Sequence, residues 1–186
     1  FSEFAVSGEH NALNALAVMA LAKAVGVDLT VNAKLLGVFD GLPHRCQKVA
    51  SLDGVDYIDD SKATNIASTQ AALSGLAKDK NIILIAGGDA KGGDLSELAD
   101  VVETKVKHLI AFGKDAEQFS NFVTAERLTL VEDLTQAVAQ AKDKASQGDI
   151  VLLSPACASI DMFKNYQHRG DLFRQYVSEQ IQGGVQ

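Results

Sequence analysis

The chain has 186 residues, 47% of them hydrophobic and 22% charged, with a formal net charge of −7. This suits one soluble domain, or one domain with a piece of another, and leaves enough apolar residues for a sizeable core. The acidic balance argues against a general nucleic-acid or anionic-membrane partner, and no apolar run is long enough to span a bilayer.

The first eight residues lack the basic flank and apolar centre of a signal peptide. The chain begins without Met, in mid-phrase, and reads as part of a longer protein. Residues 4–6 look like the end of a strand. Residues 10–25, rich in Ala and Leu, predict an amphipathic helix stopped by Gly26. A second helix is predicted over 31–39. Gly41-Leu-Pro-His-Arg45 reads as a turn, and a domain boundary is placed there, giving segments 1–42 and 43–186. Residues 46–52 and 55–58 read as two strands joined by Asp53-Gly54, a hairpin signal.

An alternating rhythm follows. Helix is predicted over 65–76, with Thr64 or Asn65 as cap, then over 95–103, 116–122, 134–145 and 169–181. Strands are predicted over 81–86, 108–112, 127–131 and 150–153. Continuous apolar strands separated by helices predict an α/β fold, a mostly parallel sheet covered on both faces.

Four segments carry candidate chemistry. Asp59-Asp60-Ser61-Lys62-Ala63-Thr64-Asn65 leads into a helix, whose free N–H groups favour anions; it equally reads as a turn with an N-cap. Gly87-Gly-Asp-Ala-Lys-Gly-Gly-Asp94 leaves the most apolar strand. Its glycines would let backbone approach a ligand, but it matches neither the P-loop nor the GxGxxG pattern, and a flexible turn explains it as well. Ser154–Gly170 follows the last strand and gathers Ser159, Asp161, Lys164 and Asn165 where an α/β sheet puts its ligand site; a helix cap with a core-filling Phe163 is the plainer reading. Asn11 and Asn14, three apart, share a face of the first helix and suit a purine edge, though such amides are common on solvated helices. Cys46 and Cys157 stand in no metal-type spacing and read as reduced thiols, with Cys157 a packing residue. His44, His108 and His168 form no ligand spacing, so no metal site is predicted.

Taken in order, Gly8-Glu-His-Asn-Ala-Leu-Asn14, Gly41-Leu-Pro-His-Arg45, Asp60-Ser-Lys-Ala-Thr-Asn65, Gly87-Gly-Asp-Ala-Lys91 and Ser154-Pro-Ala-Cys-Ala-Ser-Ile-Asp-Met-Phe-Lys-Asn165 resemble the C-terminal part of the bacterial Mur ligases, above all their D-glutamate-adding branch. The resemblance implies a Rossmann-like sheet preceded by a helical remnant of the central ATPase domain, with residues 1–42 ending that domain and 43–186 forming the amino-acid-binding domain. It implies a cytoplasmic, monomeric ligase of peptidoglycan precursor synthesis. That enzyme would use ATP and Mg2+ to join D-glutamate to UDP-N-acetylmuramoyl-L-alanine through an acyl phosphate. By the same resemblance Asn11 and Asn14 face adenine, Arg45 the ATP phosphates and Asp60 the ribose, while Lys62, Thr64, Lys91, Ser159, Ile160 and Tyr166 line the D-glutamate pocket. Tyr166 stands where the family pattern has Phe. The magnesium ligands and phosphate loop of such an enzyme would lie outside this chain, which alone is expected to be inactive. Another Mur ligase, a folylpolyglutamate synthase, or a non-catalytic Rossmann-like anion-binding module are the alternatives. The Asp-Asn-Pro-Arg segment of the diaminopimelate-adding relatives is absent.

Overall fold

The structure, a computed structural model, describes residues 9–28 and 41–182. The strand end expected at residues 4–6 and the helix expected over 31–39 lie outside them. The chain divides into two compact units, Phe1–Pro43 and His44–Gln186.

In the first unit, helix α1 spans Glu9–Ala24. Gly26, at φ 81°, ends it, with its N–H on Lys23 O and that of Val27 on Ala22 O, a left-handed cap that suits glycine. Ala15 is buried, whereas Leu13, Leu16, Val18 and Leu21 are exposed. At 100° per residue these positions circle the helix, so the single apolar stripe expected here is not present. With so few polar residues between Leu13 and Val25, hydrophobic side chains fall on every face.

The second unit is built on six strands: β1 (Gln47–Leu52), β2 (Val55–Asp59), β3 (Ile82–Gly87), β4 (Val106–Phe112), β5 (Leu128–Leu130) and β6 (Ile150–Leu153). Their order is β1-β2-β6-β3-β4-β5. β1 runs antiparallel to β2; every other neighbouring pair is parallel. Asp53 and Gly54, at φ 51° and 77°, make the hairpin turn, the left-handed pair that a tight two-residue loop requires.

Side chains alternate between the faces of the sheet, and both faces are apolar. Ile58, Leu84, Leu109 and Leu152 pack on α2 (Ile66–Leu76) and α3 (Ala99–Lys105). Tyr57, Ile83, Ile85, Ile110, Val151 and Leu153 pack on α4 (Leu134–Lys144) and α5 (Tyr166–Gln182). Strands buried on both sides read as unbroken apolar runs, the pattern seen in the sequence.

The described elements fall within about two residues of expectation except at three helices, of which that expected over 116–122 is a 3-10 helix, Ala116–Asn121. The helix expected over 95–103 is a 3-10 turn, Leu95–Leu98, followed by α3; Asp94 accepts from Ser96 N and tightens the start. Helix α5 begins at Tyr166 rather than Arg169, because Asn165 Oδ1 accepts from His168 N at 2.8 Å and caps it there.

Candidate functional site

Parallel pairing brings the carboxyl ends of β2, β6, β3 and β4 to one edge of the sheet. β1, being antiparallel, starts at that same edge. The three candidate loops of the second unit therefore leave neighbouring strands, and the β2-β6-β3 order makes this the place where the chain path reverses, the usual ligand crevice of an α/β sheet. Among the described residues five non-glycine residues have positive φ, and four of them, His44, Cys46, Lys91 and Ala156, lie at this edge. Such strain gathers where a site over-determines the backbone.

The loop after β2 is firmly held. Asp60 is buried; its Oδ1 accepts from Cys46 N at 3.2 Å and its Oδ2 from Ser154 Oγ at 2.8 Å. Burial pushes its carboxyl up to about 6. Two of its roughly four lone-pair sites are thus already taken. Ser61 is fully buried, donating through Oγ to Tyr166 O at 2.8 Å. Asn65, not Thr64, caps α2, accepting from Ser68 N. The Thr64 hydroxyl has no protein partner among the described residues and Thr64 is half-buried. Lys62 Nζ sits over the Tyr166 ring, 4.2 Å from its centroid, a cation–π contact worth about 0.5–1 kcal/mol where exposed.

The loop after β3 bends sharply at Gly87 and Gly88, φ 121° and 123°. A Cβ on Gly88 would stand 2.2 Å from Ala158 O, so only glycine allows this approach. There Asp89 and Ala158 form a two-bond antiparallel bridge, 3.0 and 2.8 Å, joining the loops after β3 and β6. Lys91 is exposed. Lys91 N–H and Lys114 hold the Asp89 carboxyl below the usual carboxylate range. In the loop after β6, Ser159 is buried, its hydroxyl without a protein partner among the described residues, while Ile160 is 67% exposed at the rim. Cys157 is buried and its thiol is pushed up to about 12 by burial, which leaves it protonated and inert.

Two features beneath the loops are absent from the sequence reading. Arg169 is fully buried and has no carboxylate within 4 Å among the described residues. Its guanidinium donates to Ser61 Oγ and Ser61 O, both at 3.0 Å, and to Cys157 O at 3.2 Å. Burial lowers it only to about 10, so it stays charged at neutral pH. It stitches the β2 loop to the β6 loop and leaves a fixed positive charge below them. His44, buried, donates from Nδ1 to Asp59 Oδ2 at 2.8 Å, with its ring edge-on to Tyr166 at 6.0 Å. Gly170 makes room for that pair: a Cβ there would lie 2.2 Å from His44 Nδ1. Only the Arg169-Gly170 dipeptide hinted at this packing.

The edge thus gathers Arg45, Asp60, Lys62, Thr64, Lys91, Ser159, Ile160 and Tyr166 on adjacent strand ends. Arg45 is exposed just before β1. Asn14 is exposed on α1, in the other unit, and the side chain of Asn11 lies outside the described residues. No cluster of three His, Cys, Asp or Glu side chains suited to a metal occurs among the described residues. No described helix is long and apolar enough to cross a membrane. The edge sets the cations Arg45, Lys62, Lys91 and Lys114 and the hydroxyls of Thr64 and Ser159 beside the carboxylates of Asp60, Asp89, Asp115 and Asp161.

The fold is an α/β domain of the Rossmann type, with a mostly parallel six-stranded sheet. The family model for the Mur ligase glutamate ligase domain matches residues 44–157, and the chain belongs to the Mur ligase family. It is 50% identical over 183 residues to the UDP-N-acetylmuramoylalanine--D-glutamate ligase of Shewanella oneidensis, covering 98% of this chain and 41% of that protein. The corresponding ligase of Hahella chejuensis is 49% identical, over 92% of this chain and 39% of that protein. The chain therefore spans about two fifths of the curated relatives it matches. Among solved structures, a pseudomurein peptide ligase type C from Methanothermus fervidus matches at TM-score 0.66 and 20% identity, covering 92% of this chain and 36% of that one. The ligase MurC from Thermotoga maritima matches at TM-score 0.64 and 17% identity, over 96% and 39% respectively. Both likenesses concern the fold.

Proposed function

We propose that this chain is the C-terminal portion of an ATP-dependent ligase that joins D-glutamate to UDP-N-acetylmuramoyl-L-alanine in the cytoplasm, and that it supplies the D-glutamate pocket and part of the ATP site. In this reading residues 1–42 end the central ATP-binding domain and 43–186 form the amino-acid domain. The observation that carries it is the convergence of Lys62, Thr64, Lys91 and Ser159 on three adjacent strand ends.

The residues fit their roles chemically. Lys91 and Lys62 offer two ammonium groups to the two carboxylates of D-glutamate, with Lys62 steadied by the Tyr166 ring. Thr64 and Ser159 offer hydroxyls that no other described residue engages. An additional hydroxyl on Tyr166, where Phe is usual, leaves the ring face free for Lys62. The exposed guanidinium of Arg45 suits a phosphate. Asp60 retains two acceptor positions for ribose hydroxyls, and Asn11 and Asn14 would serve the adenine. When bound, ATP would activate the sugar-linked carboxylate as an acyl phosphate. This chain's part is to hold the D-glutamate amine in line with it and exclude water. In this reading the magnesium ligands come from the rest of the central domain, and the described residues hold no cluster of three metal-type side chains.

In the complete ligase, Lys91→Ala removes a charge-assisted contact, so KM for D-glutamate should rise about tenfold or more while KM for ATP stays within about twofold. Equal changes in both would make Lys91 a structural residue and defeat the assignment.

A further inference from the structure

Five backbone donors between Gly87 and Gly93 are engaged inside the protein. Gly87 N–H donates to Pro155 O, Asp89 N–H to Ala158 O and Gly93 N–H to Ala90 O. Ala90 N–H donates to Asp115 Oδ2 at 2.7 Å, and Lys91 N–H to Asp89 Oδ1 at 2.8 Å. The segment therefore does not act as an anion cradle through these amides. What it presents is the Lys91 side chain, on a residue held at φ 52°. A left-handed conformation costs a non-glycine residue about 1–2 kcal/mol, so something must enforce it.

The enforcing groups come from the loop after β4, Gly113-Lys114-Asp115, a segment with no obvious motif. Asp115 reaches Ala90 N–H with one carboxylate oxygen, and its own N–H donates to Gly88 O at 3.0 Å. Lys114 Nζ pairs with Asp89 Oδ2 at 3.2 Å, and Lys114 N–H donates to Asp161 Oδ2 at 3.0 Å. A Cβ on Gly113 would fall 2.7 Å from that same Asp161 oxygen and 2.9 Å from Gly88. Loops after β3, β4 and β6 are interlocked at the residues flanking Lys91.

We propose that Asp115 is a positioning residue: by gripping Ala90 N–H it holds Lys91 in its left-handed turn and so sets the affinity of the crevice for the carboxylate of the amino-acid substrate. This rests on Lys91 being the carboxylate partner. The other Asp115 oxygen accepts from Gln118 Nε2 at 3.0 Å, a contact that serves only the following turn and gives a built-in control.

The test is a set of variants in the complete ligase, read by KM for D-glutamate, KM for ATP and melting temperature. Asp115→Ala should raise KM for D-glutamate about tenfold with KM for ATP within about twofold. Asp115→Asn, which keeps an acceptor oxygen, should recover most of the loss, and Gln118→Ala should change neither KM. Should Asp115→Ala fail to fold, Asp115→Glu displaces the same acceptor by one methylene and should act in the same direction. The double variant Lys91→Ala/Asp115→Ala should be no worse than Lys91→Ala, because one residue acts through the other. Additive losses, an equal rise in both KM values, or a Gln118→Ala effect matching that of Asp115→Ala would overturn the proposal while leaving Lys91 in its role. An unchanged KM for D-glutamate in Lys91→Ala alone would remove both.

Discussion

Asp60 has two demands on it. Its carboxylate ties the start of β1 to the end of β6 through Cys46 N and Ser154 Oγ, and it is a candidate ribose partner. Burial raises it from 3.8 to about 6, so the folded state keeps its proton where the unfolded chain has lost it. Stability from this group is therefore full below pH 3.8 and falls as pH rises towards about 6. Asp60→Asn removes the titration and keeps the shape. Its melting temperature relative to the parent should climb between about pH 3.5 and 6.5, a window that brackets this shift; a constant difference would show that Asp60 does not titrate there. Lys62, Lys91 and Arg45, the cations proposed to meet a ligand, drew notice in the sequence because their neighbours form contiguous motifs. Arg169 and the His44–Asp59 pair were not. Arg169 acts on Ser61, 108 positions away, and buried polar partners of that kind leave no local pattern.

The start of α2 distinguishes two cap-forming residues, Thr64 and Asn65, that look interchangeable in the sequence. Asn65 caps the helix through Ser68 N, whereas the Thr64 hydroxyl has no protein partner among the described residues. Asn65→Ala should cost about 1 kcal/mol in denaturant unfolding. Thr64→Ala should stay within about 0.5 kcal/mol, as a partly exposed side chain without a packing role does. The reverse ranking would move the cap and withdraw Thr64 from the site. Apolar runs located β3, β4 and β6 to within two residues, because each is buried on both faces, whereas the edge strand β1 was located by its hairpin turn. Helix starts were less legible. Asn165 drew notice as a pocket residue, yet its side chain caps α5. An Asn before a polar stretch is compatible with either, and only the fold decides.

Alternation of strand and helix announced a parallel sheet, but not its order. Consecutive strands are usually neighbours, and here β2 is followed in sequence by β3 yet is separated from it by β6. That insertion is what draws the Lys62, Ser159 and Lys91 loops side by side, so the site depended on a long-range pairing that no local signal encodes. It also bears on how the polypeptide is made. Before residues 150–153 are synthesised, the β1–β2 hairpin and the β3–β4–β5 group have no ladder between them, and one edge of Ile82–Ile85 lies open. At roughly 5–20 residues per second, the nascent chain passes about a second or more with that edge unpaired, the kind of apolar strand that templates aggregation. A chain ending at Asp149 should therefore be cleaved readily by protease and lack a cooperative melt, while the 186-residue chain resists and melts as one; a protected Asp149 truncation would show that the two halves close without their central strand. The sheet edge that carries the Lys62, Lys91 and Ser159 loops thus stays incomplete until β6 joins it.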